Sequence, residues 1–333
     1  MESDTFKALL VSEVAEKEFA AELIERNIAD LPEGDVLVEV QYSSINYKDA
    51  LSASGNKGVT RLYPHTPGID AAGVVRSSSD GNFQEGDQVI VTGFDLGMNT
   101  AGGFGQYIRV PANWVVACPD GMERREAMIL GTAGFTAALC IEKLIANGLD
   151  PDAGDVLVTG ATGGVGIIAV MLLSKLGYRV VASTGKAASH ELLKALGASE
   201  VIGRAELGEV NSRPLLKERW AGAVDVVGGD TLFNVIKALK YQASVAACGL
   251  VQSPVFQASV LPFILRGVNL LGVDSVQLPL TRKQAVWKKL AQEWKLTGLD
   301  EICSEIGFEQ LQESLAVVLR GEATGRYLLN LQR

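Results

Sequence analysis

Histidine is nearly absent from this chain. Its 333 residues hold only two, His65 and His190, beside four cysteines at 118, 140, 248 and 303. No two cysteines form a C-x-x-C pair, so the spacing suits neither a zinc knuckle nor a small disulfide framework. Separate thiols fit a reducing compartment. Zn²⁺ asks for three or four Cys, His or carboxylate ligands; with no cysteine near either histidine, no metal is expected. Positive charge is the minority sign: 30 Lys and Arg face 39 Asp and Glu, a net charge of −9. That balance argues against a nucleic-acid partner, while leaving room for a small basic pocket. Long hydrophobic runs are missing too. The apolar stretch 165–173 is too short to span a bilayer. The acidic N-terminus lacks the basic start and apolar run of a signal peptide. The expectation is a cytoplasmic protein with no membrane partner.

What is present divides in two. The first ~125 residues carry short alternating segments broken by glycine and proline, at 36–40, 72–75 and 88–91. They predict a β-rich domain. From Asp155 onward, apolar strands are expected at 156–159, 180–183, 200–202, 224–227, 244–248 and 269–273. Helices are expected between them near 165–176, 190–196, 214–220 and 232–239. Continuous apolar strands alternating with helices imply a parallel sheet covered on both faces, and six such strands fit a doubly wound dinucleotide fold. A helix near 281–295 and a strand at 326–331, rejoining the first domain, close the chain.

The first of those strands runs into Gly160-Ala161-Thr162-Gly163-Gly164-Val165-Gly166, and a helix follows at once. This context makes a glycine motif informative. Gly160 permits the tight turn, Gly163 and Gly164 let the backbone approach a diphosphate, and Gly166 lets the helix pack on the sheet. The helix start favours an anion through its free N–H groups and dipole. A site for NAD ordinarily ends its second strand in Asp or Glu, to bind the ribose hydroxyls. Here that place reads Ala182-Ser183-Thr184-Gly185-Lys186. Hydroxyls and a lysine suit a 2′-phosphate instead, and Arg204 after the third strand is placed to close the same pocket. The cofactor expected is NADPH.

These motifs converge on a family. With Gly68-Ile69-Asp70-Ala71-Ala72-Gly73-Val74-Val75, Gly86-Asp87-Gln88-Val89 and the glycine turn, the sequence resembles the medium-chain dehydrogenase/reductase superfamily over its whole length. More narrowly it resembles the YhdH/YhfP quinone-oxidoreductase-like group, which includes acrylyl-CoA reductases. That match rests on Ser44-Ile45-Asn46-Tyr47-Lys48-Asp49-Ala50-Leu51, Gly131-Thr132-Ala133-Gly134-Phe135-Thr136-Ala137 and Ala246-Ala247-Cys248-Gly249-Leu250. Pro262-Phe263-Ile264-Leu265-Arg266 and Gly272-Val273-Asp274-Ser275-Val276 add to it. The resemblance implies an α/β protein: a GroES-like β-rich catalytic domain formed by both chain ends (1–126 and 277–333), with an inserted six-stranded Rossmann domain (127–276). It implies an active site in the cleft between them and, by analogy, a homodimer. Cofactor contacts are implied at Tyr47, at Thr162, Gly163, Gly164 and Val165, and at Thr184, Gly185, Lys186 and Arg204. Later ones are implied at Leu250, Ile264, Ser275 and Arg326.

Zinc-dependent members need a Cys near the place of Tyr47 and a His-Glu pair where Ile69-Asp70 stands. Without zinc as Lewis acid, a conjugated acceptor is easier to reduce than an isolated ketone. Hydride adds to the β-carbon and charge moves to the carbonyl oxygen, which the protein must position and stabilise. Tyr47 and Asn46 are the catalytic candidates. The tyrosine hydroxyl would orient or protonate; the asparagine supplies an amide donor or, on the plainer reading, a turn. His65, in Tyr63-Pro64-His65-Thr66-Pro67, reads as a turn residue. The reaction implied is reduction of acryloyl-CoA to propanoyl-CoA. The alternatives are a quinone, enone or enal as acceptor, or an NADPH-binding regulatory protein without turnover. Lys57, Arg61 and Arg266 are candidates for the phosphates of a CoA ester, with surface charge the plainer reading of each.

Overall fold

The computed structural model describes residues 5–208 and 212–333. The chain divides into two compact units: 1–132, 276–293 and 297–333 form one, and 133–275 with 294–296 the other.

The first unit is β-rich. Val36, Val38 and Val40 point into its core while Leu37 and Glu39 are partly exposed, the period-2 pattern of a half-buried strand. This strand, Val36–Ser44, is central: it pairs antiparallel with Asp70–Ser78, Tyr107–Val110 and the C-terminal strand Arg326–Asn330. The full sheet has seven strands, continuing outward to Gln88–Thr92 and Val115–Ala117 on one side and Cys303–Ile306 on the other. So the chain's end does rejoin the first domain. An N-terminal hairpin, Thr5–Ala15 with Glu18–Asn27, forms a separate two-stranded sheet. Its second strand buries no residue fully and is half polar, so no apolar run marks it in the sequence.

The second unit holds a six-stranded parallel sheet. Its order is Ala198–Gly203, Val180–Thr184, Val156–Val158, Trp220–Asp225, Leu239–Ala247, Asn269–Gly272. In chain order that is 3-2-1-4-5-6, the doubly wound arrangement. Within this sheet the first two strands in sequence, Val156–Val158 and Val180–Thr184, are buried at every position, as a sheet covered on both faces requires. The helices after the first, second and fourth strands are Gly164–Lys175, His190–Ala195 and Gly229–Lys237.

One expected element is corrected. No helix forms near 214–220; Leu216 and Arg219 instead bond to the backbone of Lys237 and Ala238. Trp220 begins the fourth strand, four residues earlier than expected, and is 1% exposed among Ala223, Val235 and Leu239. Pro214 suits a first helical turn, but burial of the indole outweighs that local preference. A second element went unseen: helix Arg124–Ala146, interrupted at Gly131 with φ 52°. Among the described residues it is the one helix long and apolar enough to cross a membrane. Its apolar window is 78% buried inside the protein, as in a core helix.

Candidate active site

The carboxyl ends of the parallel strands gather the chemistry of the second unit. Strand Val156–Val158 ends in Thr159, whose hydroxyl donates to Asp225 Oδ1 at 2.7 Å and accepts from Val226 N–H. Asp225 Oδ2 accepts from Gly228 N–H at 2.8 Å. Burial pushes this carboxyl up, against the pull of those hydrogen bonds. Asp225 is a residue sequence reasoning missed; its signal was one acid inside the apolar run Ala223-Val224-Asp225-Val226-Val227. It ties the first strand to the fourth beside the glycine turn.

At Gly160 the chain takes φ 58°, and a Cβ there would sit 2.5 Å from Val226 Cγ2. Helix Gly164–Lys175 then starts on Gly163 without a side-chain cap. Its first N–H groups have no acceptor within the helix, which is what an anion site needs. A Cβ on Gly166 would lie 2.4 Å from the Gly160 carbonyl: only glycine lets the helix approach so closely.

The second strand ends beside this turn. Thr184 Oγ1 lies 3.2 Å from Thr162 Oγ1 and accepts from Lys186 N–H at 3.1 Å. Arg204 N–H donates to Thr184 O. The Arg204 guanidinium crosses over Gly185: a Cβ on that glycine would meet Nε at 2.8 Å. Thr162, Thr184, Gly185, Lys186 and Arg204 therefore form one cluster, with no carboxylate at the strand end. A glycine cradle, uncapped amides and a guanidinium fit a phosphorylated dinucleotide. Nearby, Gly249 packs against the Val226 carbonyl and carries Leu250 into solvent, 57% exposed. Ile264 is also exposed and Ser275 half-buried.

In the first unit the centre is Asp70, fully buried at the start of its strand. Its Oδ2 accepts from Ser44 Oγ (2.6 Å), Asn46 Nδ2 (2.7 Å) and Thr132 N–H (2.9 Å); its Oδ1 accepts from Thr132 Oγ1 at 2.5 Å. Arg326, 3% exposed, donates to the carbonyls of Ile129 and Ile45 and to Asn46 Oδ1. The kink at Gly131 lets the chain pass: a Cβ would lie 2.3 Å from Ser44 Oγ and 2.6 Å from Asp70 Oδ2. Asp49 accepts from Asn46 N–H at 2.7 Å and from Ile69 N–H at 2.8 Å. Burial, reinforced by the charge of Asp70, pushes its carboxyl up to about 7. Burial also lowers the Arg326 pKa, opposed by the two aspartates. This cluster fixes the start of helix Tyr47–Ala53. Tyr47 itself is 43% exposed, so its hydroxyl is open to a ligand, whereas the Asn46 amide is already bonded. Ser44 and Thr132 stood in the quoted strings, but only the fold turns them toward Asp70.

The donors here do not fit zinc. Ile69 offers none, and the oxygens of Asp70 already receive four hydrogen bonds. Among the described residues no group of His, Cys, Asp and Glu is arranged for a metal. His65 is buried, its pKa lowered chiefly by burial, and its backbone pairs with Val11.

Comparison with known proteins agrees with this geometry. Residues 32–120 match the alcohol dehydrogenase GroES-like domain family, and 164–294 the family described as zinc-binding dehydrogenase. The chain is 47% identical over 303 residues to YhfP of Bacillus subtilis, whose name proposes quinone oxidoreduction; 91% of this chain and 92% of that protein are covered. This chain belongs to the medium-chain dehydrogenase/reductase superfamily. Within it, the chain is a member of the YhdH/YhfP quinone-oxidoreductase-like group, and it is an oxidoreductase. The acrylyl-CoA reductase AcuI of Ruegeria pomeroyi is 43% identical across 98% of this chain and 99% of its own. Among solved structures, the YhdH oxidoreductase of Salmonella enterica in complex with NADP superposes with a TM-score of 0.94, at 42% identity over 98% of this chain and 99% of that one. YhfP with NAD bound gives a TM-score of 0.96 at 44% identity, over 99% and 100%. For this oxidoreductase the GroES-like fold and the inserted Rossmann sheet stand as the sequence suggested.

Proposed function

We propose that this protein reduces the conjugated double bond of a short enoyl thioester, acryloyl-CoA to propanoyl-CoA, with NADPH as cofactor. The observation that carries the cofactor is the acid-free end of the second strand, where Thr184, Lys186 and Arg204 surround Gly185. Bound there, NADPH supplies a hydride. The residues that would hold its diphosphate are Gly163, Gly164 and Val165; Thr184, Lys186 and Arg204 would hold the 2′-phosphate, the two cations through charge-assisted bonds. Leu250, Ile264, Ser275 and Arg326 complete the proposed cofactor set. Of these, Arg326 works from within the Asp70 cluster, as a positioning residue. Tyr47 holds a hydroxyl proton for the acceptor oxygen, and Asn46 holds the start of its helix. Atoms balance when the cofactor's C–H bond releases its hydride to the β-carbon, leaving the oxidised cofactor, and a solvent O–H releases its proton to the α-carbon: two C–H bonds form as one C=C π bond, one C–H and one O–H bond break.

Acryloyl-CoA is favoured because AcuI matches nearly the whole chain. A quinone or enone is the second reading, favoured by the name of YhfP. The test is oxidation of NADPH and NADH with acryloyl-CoA, simple quinones and small enones in parallel. Turnover of quinones with none of acryloyl-CoA would overturn the first reading. NADPH binding with no acceptor reduced would return the protein to a regulatory role.

A further inference from the structure

The structure removes two of the three cations considered for CoA phosphates. Lys57 Nζ pairs with Glu13 at 2.7 Å and lies over the rings of Phe19 and Tyr63. Arg266 spends its guanidinium on the carbonyls of Lys237, Leu239 and Leu216 and on Glu218. Arg61 remains. Its side chain makes no ion pair or hydrogen bond among the described residues; only its backbone N–H is engaged, by Asn99 Oδ1. Lys48, half-buried and next to Tyr47, is likewise without a partner there. In a chain of net charge −9, these two cations lie on neighbouring segments without a counter-ion among the described residues.

The corner carrying Arg61 is held firmly. Thr60, fully buried, shares a 2.6 Å hydrogen bond with Ser52 Oγ. Tyr63 OH donates to Ser52 O at 2.6 Å. Residues on both sides of Arg61-Leu62 are therefore fastened to one residue of helix Tyr47–Ala53, the helix that also bears Lys48. Between those fastenings Leu62 is 78% exposed. The arrangement holds an apolar side chain and a guanidinium out to solvent at a fixed place. Burial within this chain gives no reason for it.

We propose that Lys48, Arg61 and Leu62 bind the carrier arm of the acceptor, a coenzyme A thioester. The two cations take its phosphates and Leu62 packs on its apolar arm. This rests on the thioester reading above. Arg61 suits phosphate through its planar fork of donors, and Lys48 as a point charge.

The test is calorimetric titration with free CoA, beside turnover of acryloyl-CoA and of but-3-en-2-one, which has no phosphate. In the doubly substituted Lys48→Ala, Arg61→Ala protein, CoA affinity is expected to fall about tenfold or more. The ratio of kcat/KM for acryloyl-CoA to that for the enone should fall with it. Arg61→Lys should keep most of the affinity, and an unchanged melting curve shows that the variants fold. Added salt should weaken CoA binding in the wild type. If the wild type does not bind CoA, or the double variant binds it equally well, the inference is overturned. CoA binding lost in the variant, with no acryloyl-CoA turnover in the wild type, overturns the substrate reading and supports this site.

Discussion

On the proposed reading, Arg204 separates the two cofactors. Its guanidinium lies over Gly185, with Lys186 next in sequence, and together they would hold a phosphate that NADH lacks. Arg204→Ala or Lys186→Ala should cost NADPH about 1.5–3 kcal/mol of binding, the worth of a charge-assisted contact, and NADH much less. Equal losses in dissociation constants measured by fluorescence titration would refute the 2′-phosphate assignment. Tyr47→Phe tests a different atom. The ring is 43% exposed, so removing the hydroxyl should leave thermal stability near wild type while kcat falls. An unchanged kcat would mean the hydroxyl takes no part in the reaction. At this scale the sequence was legible wherever identity alone carries the chemistry, as with the missing acid after Ser183. It was silent where partnership decides. Nothing in the strings separates Asn46, bonded to Asp70 and Arg326, from Tyr47 beside it, which stays open.

The turn and helix of residues 160–175 are one element with two kinds of glycine. A Cβ on Gly166 would strike the Gly160 carbonyl at 2.4 Å, so Gly166→Ala must push the helix off the strand. Overpacking of this sort costs about 1–3 kcal/mol. Gly163 differs. Its φ of −78° is open to any residue, and a Cβ there meets only Gly160 O at 3.4 Å. Gly163→Ala should therefore leave the melting temperature near wild type while NADPH affinity drops, whereas Gly166→Ala lowers both. A melting temperature that falls equally in the two variants would mean that Gly163 is structural and does not face the diphosphate. Helix Arg124–Ala146 shows the other side of element-level reading. Its break at Gly131 follows from Asp70, 61 positions earlier in the sequence, whose carboxylate binds Thr132 N–H and Oγ1. No periodicity in the helix itself encodes that partner.

For the whole molecule, stability against pH reports the buried acid cluster. The Asp49 carboxyl is pushed up to about 7 from an ordinary 3.8, chiefly by burial and next by Asp70. A raised folded-state value means the protonated acid favours the native state. Its contribution is complete below about 3.8 and is lost as pH rises through about 7. Asp49→Asn should carry a fixed penalty from its two backbone donors but no such slope. The wild-type advantage over Asp49→Asn in denaturant unfolding should thus shrink between about pH 4 and 7; parallel curves would refute the shift. Other shifted groups, such as Glu305, lowered first by Asn330, and Asp225, raised by burial, are common to both proteins and cancel in the difference. By itself the sequence determined the sheet class, the strand–turn–helix around the glycine turn, the cofactor and the family. Those rest on local patterns: apolar period, glycine spacing and the residue at a strand end. Only the tertiary structure decided that Trp220 opens a strand rather than closes a helix, and that Lys57 and Arg266 are already paired. It alone showed the Asp70 carboxylate accepting four hydrogen bonds from Ser44, Asn46 and Thr132, and Lys48 and Arg61 left without partners among the described residues. These are matters of which distant groups meet, and of how much each gains from burial, which no stretch of chain records alone.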